Sequence, residues 1–216
     1  MITRRVERAL VRAGNRGRRL LSILKPYEPM GQGKELLDSQ YASAEWDYLR
    51  SIGEAPRFGV VSAYCRLLAS GGSILEIGCG EGILLEHLDR GRFRRFAGVD
   101  ISSVAVDRAR VLEDDRTTFT CADAEAHVPD RAFDLVVFNE VLEYFDDPLA
   151  LVRRYEPFVE PGGHFIVSMF AGIHTARTRS IWRWLESRYA VVAHTRVATH
   201  RDHLWNVKVL RVPTPA

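Results

Sequence analysis

Between Ser73 and Ile83 the chain reads Ser-Ile-Leu-Glu-Ile-Gly-Cys-Gly-Glu-Gly-Ile, and few folds accept that order. Ile74, Leu75 and Ile77 form a short apolar run broken by one acid, Glu76. Gly78, Gly80 and Gly82 follow at alternate positions, and Ile83, Leu84, Leu85 and Leu88 then recur at helical spacing. The pattern predicts a buried parallel strand, a sharp turn and the opening of a helix. Glycine suits such a turn because the backbone reverses there and a ligand can approach main chain without meeting a Cβ. A dinucleotide loop of the G-x-G-x-x-G type would need its third glycine at position 83, where this chain has Ile83.

Further signals along the chain repeat the strand–helix alternation. Arg94–Ile101 is an apolar stretch ending in Asp100, about twenty residues past the glycine loop, the interval at which nucleotide-binding α/β folds present a carboxylate to ribose hydroxyls. Ser102 caps the next helix, and Thr117–Cys121 and Phe133–Asn139 read as the third and fourth strands. Asp123 follows the third strand, either as a ligand contact or as a helix cap. Pro161-Gly162-Gly163 turns into a fifth strand, Phe165–Phe170. An amphipathic helix around Ile181–Tyr189 precedes two alternating stretches, Val191–Val197 and Leu204–Leu210, which predict an antiparallel closing pair. The expected fold class is α/β, a doubly wound, mostly parallel seven-stranded sheet with an antiparallel C-terminal strand. Two helical patterns come before it, over Leu36–Arg50 and from Pro56 to Gly71-Gly72.

The ordered set E-x-G-x-G-x-G, strand-end Asp100, Asp123, F-D-L-V-V-F-N and P-G-G is similar to the class I S-adenosylmethionine (SAM) methyltransferases over about residues 36–210. The resemblance implies a Rossmann-like methyltransferase fold with SAM as cofactor and S-adenosylhomocysteine as product. It implies that Glu76, Gly78, Cys79, Gly80 and Gly82 carry the methionine end, and that Asp100 and Ile101 meet ribose and adenine. Asp123 and Ala124 would hold the adenine edge, Asn139 would stand at the carboxyl end of strand four, and Tyr41 and Trp46 would be aromatics of a lid helix. Many relatives have a histidine where this chain has Tyr144. That departure leaves Tyr144, Glu140, Glu143 and Asp146 around the reaction centre.

The stretches G-V-D-I-S and V-F-N-E-V-L-E-Y-F also resemble nodulation-type N-methyltransferases. The expected acceptor is therefore a small molecule, an amine on a sugar or glycolipid, with O-methylation of a small metabolite as the alternative. Two readings from other classes stay open, a non-catalytic SAM-fold binding module and an NAD-binding oxidoreductase. Ile83 and the lack of a Tyr-x-x-x-Lys signature weigh against the second.

Composition narrows the partners. A net charge of +2 over 216 residues gives no global field for nucleic acid. Arginines nevertheless crowd the first twenty positions, so residues 1–35 are expected to be a basic extension and linker and 36–216 the methyltransferase domain with its lid helices. The extension is either a peripheral membrane contact or a frayed terminus. Cys65, Cys79 and Cys121 have no metal-ligand spacing and fit reduced thiols in a cytoplasmic protein. His194, His200 and His203 are expected at the surface or on an acceptor loop, and no metal is expected. A monomer or a homodimer is expected.

Overall fold

The computed structural model describes residues 33–171, 175–200 and 203–213, so the basic segment up to residue 32 lies outside the described residues. The helices are α1 (Lys34–Ala42), α2 (Ala55–Leu68), α3 (Ile83–Glu86), α4 (Ser103–Ala109), α5 (Pro148–Tyr155) and α6 (Thr175–Arg188). The strands are β1 (Ser73–Ile77), β2 (Arg95–Asp100), β3 (Thr117–Cys121), β4 (Phe133–Asn139), β5 (Val159–Phe170), β6 (Ala190–His200) and β7 (His203–Arg211). They form one seven-stranded sheet in the order β3-β2-β1-β4-β5-β7-β6. Pairings from β3 through β5 are parallel, and β7 runs antiparallel to both β5 and β6. The expected fold class is the observed one.

Strand parity decides what each face carries, because successive side chains alternate across a sheet. On β1, Ile74 joins the core beneath α2 and α4, where Phe58, Val61, Cys65, Val106 and Ala109 are buried. Leu75 and Ile77 point the other way, into a second core with Leu151, Val152 and Tyr155 of α5 and Ile181 and Leu185 of α6. The same rule sends Leu135 and Val137 of β4 to the first face and Val136 and Phe138 to the second. Glu76 and Asn139 therefore share the α2 face at the carboxyl ends of adjacent strands. Burying one acid and one amide there requires partners.

Three expectations on local structure are corrected. The helical pattern over Leu36–Arg50 is not one helix: α1 stops at Ala42, Ala44 takes φ 61°, and Asp47–Arg50 forms a separate 3-10 turn. A non-glycine residue in the left-handed region cannot continue a right-handed helix. The helix after the glycine loop is a single turn, although Leu84 and Leu85 are buried as the pattern required. Pro161-Gly162-Gly163 does not precede β5 but lies within it. The register against β4 shifts there, and Gly162 has φ 82°. That irregularity is a bulge, the usual place for proline and glycine inside a strand.

Candidate functional site

The glycine loop leaves β1 at the carboxyl edge of the sheet. Gly78, Gly80 and Gly82 have φ values of 72°, 51° and 78°. A Cβ on Gly78 would lie 2.4 Å from Cγ2 of Val141, and one on Gly80 would lie 2.7 Å from the hydroxyl of Tyr41. These two glycines are needed for backbone conformation and for space together. The Gly78 and Cys79 N–H groups donate to the Val99 carbonyl, binding the loop to β2.

Asp100, at the end of β2, fastens the other side of that loop. Its Oδ2 accepts from the Gly80 N–H at 2.8 Å and its Oδ1 from the Ser102 N–H at 2.9 Å. Burial raises its pKa, and the N–H groups of Ser102, Gly80 and Ile101 oppose that rise. A carboxylate has about four acceptor positions, so two hydrogen bonds leave capacity for more.

A cavity of about 430 Å³ opens above the loop. Its wall includes Glu76, Gly78, Cys79, Gly80, Asp100, Ile101, Asp123, Ala124 and Asn139, together with Tyr41 and Trp46 from the segment preceding α2. Glu140, Glu143 and Tyr144 line it as well. Gly82 does not; it sits behind the loop, where a Cβ would meet Leu112 and Phe119 at 3.0 Å. Asp146, expected near the reaction centre, is exposed and lies off the cavity wall. Asp123 does both things its position allowed: it lines the cavity, and its Oδ1 accepts from the Glu125 N–H at 2.8 Å. The Ala124 carbonyl accepts from the Tyr155 hydroxyl at 2.9 Å, which fixes the turn after β3.

No motif announces Arg57. This residue of α2 is 1% exposed and lines the cavity. Its Nε and one terminal nitrogen donate to Oε2 of buried Glu54 at 3.2 and 2.9 Å, and the other terminal nitrogen donates to Oδ1 of Asn139 at 2.5 Å. Asn139 in turn donates to the Glu76 carboxylate. The guanidinium also lies 4.2 Å from the ring centre of Phe58. Glu54, Arg57, Asn139 and Glu76 thus form one buried polar chain linking α2, β4 and β1. The only sequence signal is Glu54 three residues before Arg57 at a helix start. That spacing alone does not tell a buried pair from a solvated one.

On the far side of the cavity, Glu140 follows β4 with φ 58°, an uncommon conformation for a glutamate. Its Oε1 accepts from the Ser168 hydroxyl, and Glu143 accepts from the Thr178 hydroxyl at 2.9 Å. Tyr48, Phe170, His203 and Trp205 complete an aromatic rim. His203 stands edge-on to Phe170 and Trp205, whereas His194 pairs with Asn206 at 3.1 Å away from the cavity. Among the described residues no group of His, Cys, Asp and Glu is arranged to hold a metal ion. None of the described helices is long and apolar enough to cross a membrane.

Burial pushes Glu76 up to about 8 against the pull of Asn139 and Arg57, and pushes Glu140 up to about 7 against Arg57 and Ser168. The Tyr144 and Tyr41 hydroxyls are also raised, by burial first. For stability the sign is definite. The unfolded chain ionises both glutamates near the ordinary value of 4.5, while the folded protein keeps them protonated further. Their contribution is complete below that value and is lost as pH rises through about 7 to 8. Urea unfolding of the wild type should therefore lose stability between about pH 5 and 8, by at most about 1.4 kcal/mol per pH unit for each group. Glu76→Gln should flatten that slope; an identical slope in the variant would place the titration elsewhere.

Comparison with known proteins agrees with this geometry. A family profile described as a methyltransferase domain matches residues 55–208. A ubiquinone biosynthesis O-methyltransferase of Vibrio parahaemolyticus is 33% identical over 103 residues, 45% of this chain and 43% of that protein. A malonyl-[acyl-carrier protein] O-methyltransferase of Priestia megaterium is 31% identical over 101 residues, 45% of this chain and 36% of that protein. The matched region thus spans less than half the length of these curated relatives. Among solved structures, the N-methyltransferase NodS from Bradyrhizobium japonicum WM9 in complex with S-adenosylhomocysteine superposes with a TM-score of 0.71 at 21% identity, covering 84% of this chain and 98% of that one. Magnesium protoporphyrin IX methyltransferase from Synechocystis PCC 6803 with bound SAM gives 0.63 at 17% identity, covering 87% and 99%.

Proposed function

Because the chain belongs to the methyltransferase domain family, we propose that it transfers a methyl group from SAM to an amine on a sugar or glycolipid acceptor. The observation that carries this reading is the continuity of one cavity from the glycine loop and Asp100 to a recess walled by Glu54, Glu140, Glu143 and aromatic rings. The residues present fit the donor. Glu76 Oε2 is buried on the cavity wall with no hydrogen-bond partner, which is what a methionine ammonium group would satisfy. Arg57 supplies positive charge on the same wall for a carboxylate, and Asp100 has acceptor capacity left for ribose hydroxyls. Gly78, Gly80 and Cys79 bring main chain to the donor, Ile101 and Ala124 offer apolar contact to adenine, and Asp123 is positioned for its amino group.

When bound, SAM supplies an electrophilic methyl group, so the protein has mainly to align, desolvate and manage one proton. Tyr41 and Trp46 roof the cavity and exclude water. Trp46, Tyr48 and Tyr144 offer ring faces that attract a cationic amine. Glu140, held near pKa 7 by burial, is matched to accept the proton that such an amine must lose. Tyr144 orients the acceptor through its hydroxyl. Tyr144→Phe is expected to lower kcat about tenfold or more while leaving SAM affinity within about twofold. A large loss of SAM affinity in that variant would put Tyr144 on the donor side.

O-methylation is the second reading, favoured by the names of the curated relatives. Incubation with labelled SAM and a panel of amino sugars, glycolipids and phenols, read by mass spectrometry, separates the two. Label on phenols alone would overturn the amine acceptor, and binding of NAD but not SAM would overturn the reading as a whole. SAM binding with every acceptor left unmethylated would favour a binding module. In this proposal residues 36–216 are the catalytic domain of a cytoplasmic protein, and the basic extension of residues 1–35 brings it to anionic membrane where a glycolipid acceptor resides.

A further inference from the structure

Helix α1 buries only Tyr41 among its nine residues. A helix so short and so lightly packed has little to hold it against the domain. Asp38, on this helix, supplies the missing tie. Its Oδ1 accepts from the Ser102 hydroxyl at 2.7 Å and the Val104 N–H at 3.2 Å. Its Oδ2 accepts from the Lys34 ammonium and from the Ser103 hydroxyl at 3.1 Å. Two oxygens thus receive four donors, which hold the carboxyl far below its ordinary range, with Lys34 the first cause.

Ser102 is the junction. Fully buried, it gives its hydroxyl proton to Asp38 and its N–H to Asp100. Asp100 also takes the Gly80 N–H, and the hydroxyl of Tyr41 lies over the open side of Gly80. The contacts close a ring: Gly80, Asp100, Ser102, Asp38, the helical turn to Tyr41, and Gly80 again. Trp46 stacks on Tyr41 at 5.7 Å beyond the left-handed Ala44, so the same ring fixes the aromatic roof.

We infer that Asp38 is a positioning residue that couples occupation of the donor seat at Asp100 to closure of α1 over it. A ligand that orders Asp100 orders Gly80 and Ser102, the two surfaces to which the lid is fastened. By reciprocity, a fastened lid retains the ligand longer. The coupling rests on the SAM reading above, whereas the latch itself exists in the free protein and can be tested there.

Hydrogen exchange followed by mass spectrometry, with and without S-adenosylhomocysteine, tests both. In free Asp38→Ala, amides of residues 34–42 should exchange about tenfold faster or more than in wild type, with β1 and β4 unchanged, since charge-assisted bonds are lost locally. With S-adenosylhomocysteine, wild type should gain protection at residues 34–42 and 78–82. The alanine variant should gain it only at 78–82 and should release the ligand about tenfold faster or more. Asp38→Asn keeps an acceptor for Ser102 and Val104 without the charge facing Lys34, and should fall between the two. Exchange at 34–42 and ligand release both within about twofold of wild type in Asp38→Ala would overturn the inference. Absence of protection at 78–82 in wild type would overturn the SAM reading and the coupling with it, while faster exchange in free Asp38→Ala would still assign the latch to Asp38.

Discussion

Asp100→Ala is expected to weaken SAM binding by roughly one to two orders of magnitude, measured by calorimetry, with the fold retained. Two losses add. The ribose hydroxyls of the proposed ligand lose a charged acceptor, typically worth about 1.5 to 3 kcal/mol. The Gly80 and Ser102 N–H groups also lose theirs, so the loop and the start of α4 are no longer held to one point. Asp100→Asn discriminates between these contributions. Its amide offers one acceptor and turns a donor toward the other N–H, so it should restore only part of the affinity. Affinity within about twofold of wild type for Asp100→Ala would mean that the ribose is held elsewhere.

Asp100 is legible in the amino-acid order because its chemistry is local to a motif. A strand, an acid at its end and a fixed interval from a glycine turn are all properties of contiguous sequence. The apolar strands β1 and β4 are legible for the same reason, since a buried parallel strand reads as a nearly continuous apolar run. What stays hidden depends on elements meeting. The break at Ala44 is a choice of backbone conformation inside a pattern whose spacing still fits a helix. The bulge at Gly162 follows from β5 continuing past the turn to pair Val159 with Phe133. Asp38 is one more acid on a short helix until Ser102 stands opposite it. Arg57 is the clearest case: an arginine in an apolar helix pattern is ordinarily exposed. Its burial follows from strand parity, which puts Asn139 and Glu76 on the face that α2 covers.

Arg57→Ala is expected to destabilise the fold by about 3 to 5 kcal/mol in urea unfolding, because it leaves Glu54 buried and unpaired. Glu54 is 6% exposed and receives two hydrogen bonds from the guanidinium, so it can neither hydrate nor readily find a substitute donor. Asn139 loses its donor at the same time. Arg57→Lys should rescue little, since a point charge cannot reach the Glu54 carboxylate and the Asn139 amide in the forked geometry seen here. The double variant Glu54→Gln, Arg57→Met separates stability from function. Removing both charges with little change in volume should return most of the lost stability, as buried ion pairs replaced together often do. It should not return methyl transfer. Glu76 and Glu140 would lose the positive charge that now opposes their protonation, and the donor carboxylate would lose its counter-charge on the cavity wall. A double variant as active as wild type would confine Arg57 to a structural role and leave the donor carboxylate to other contacts.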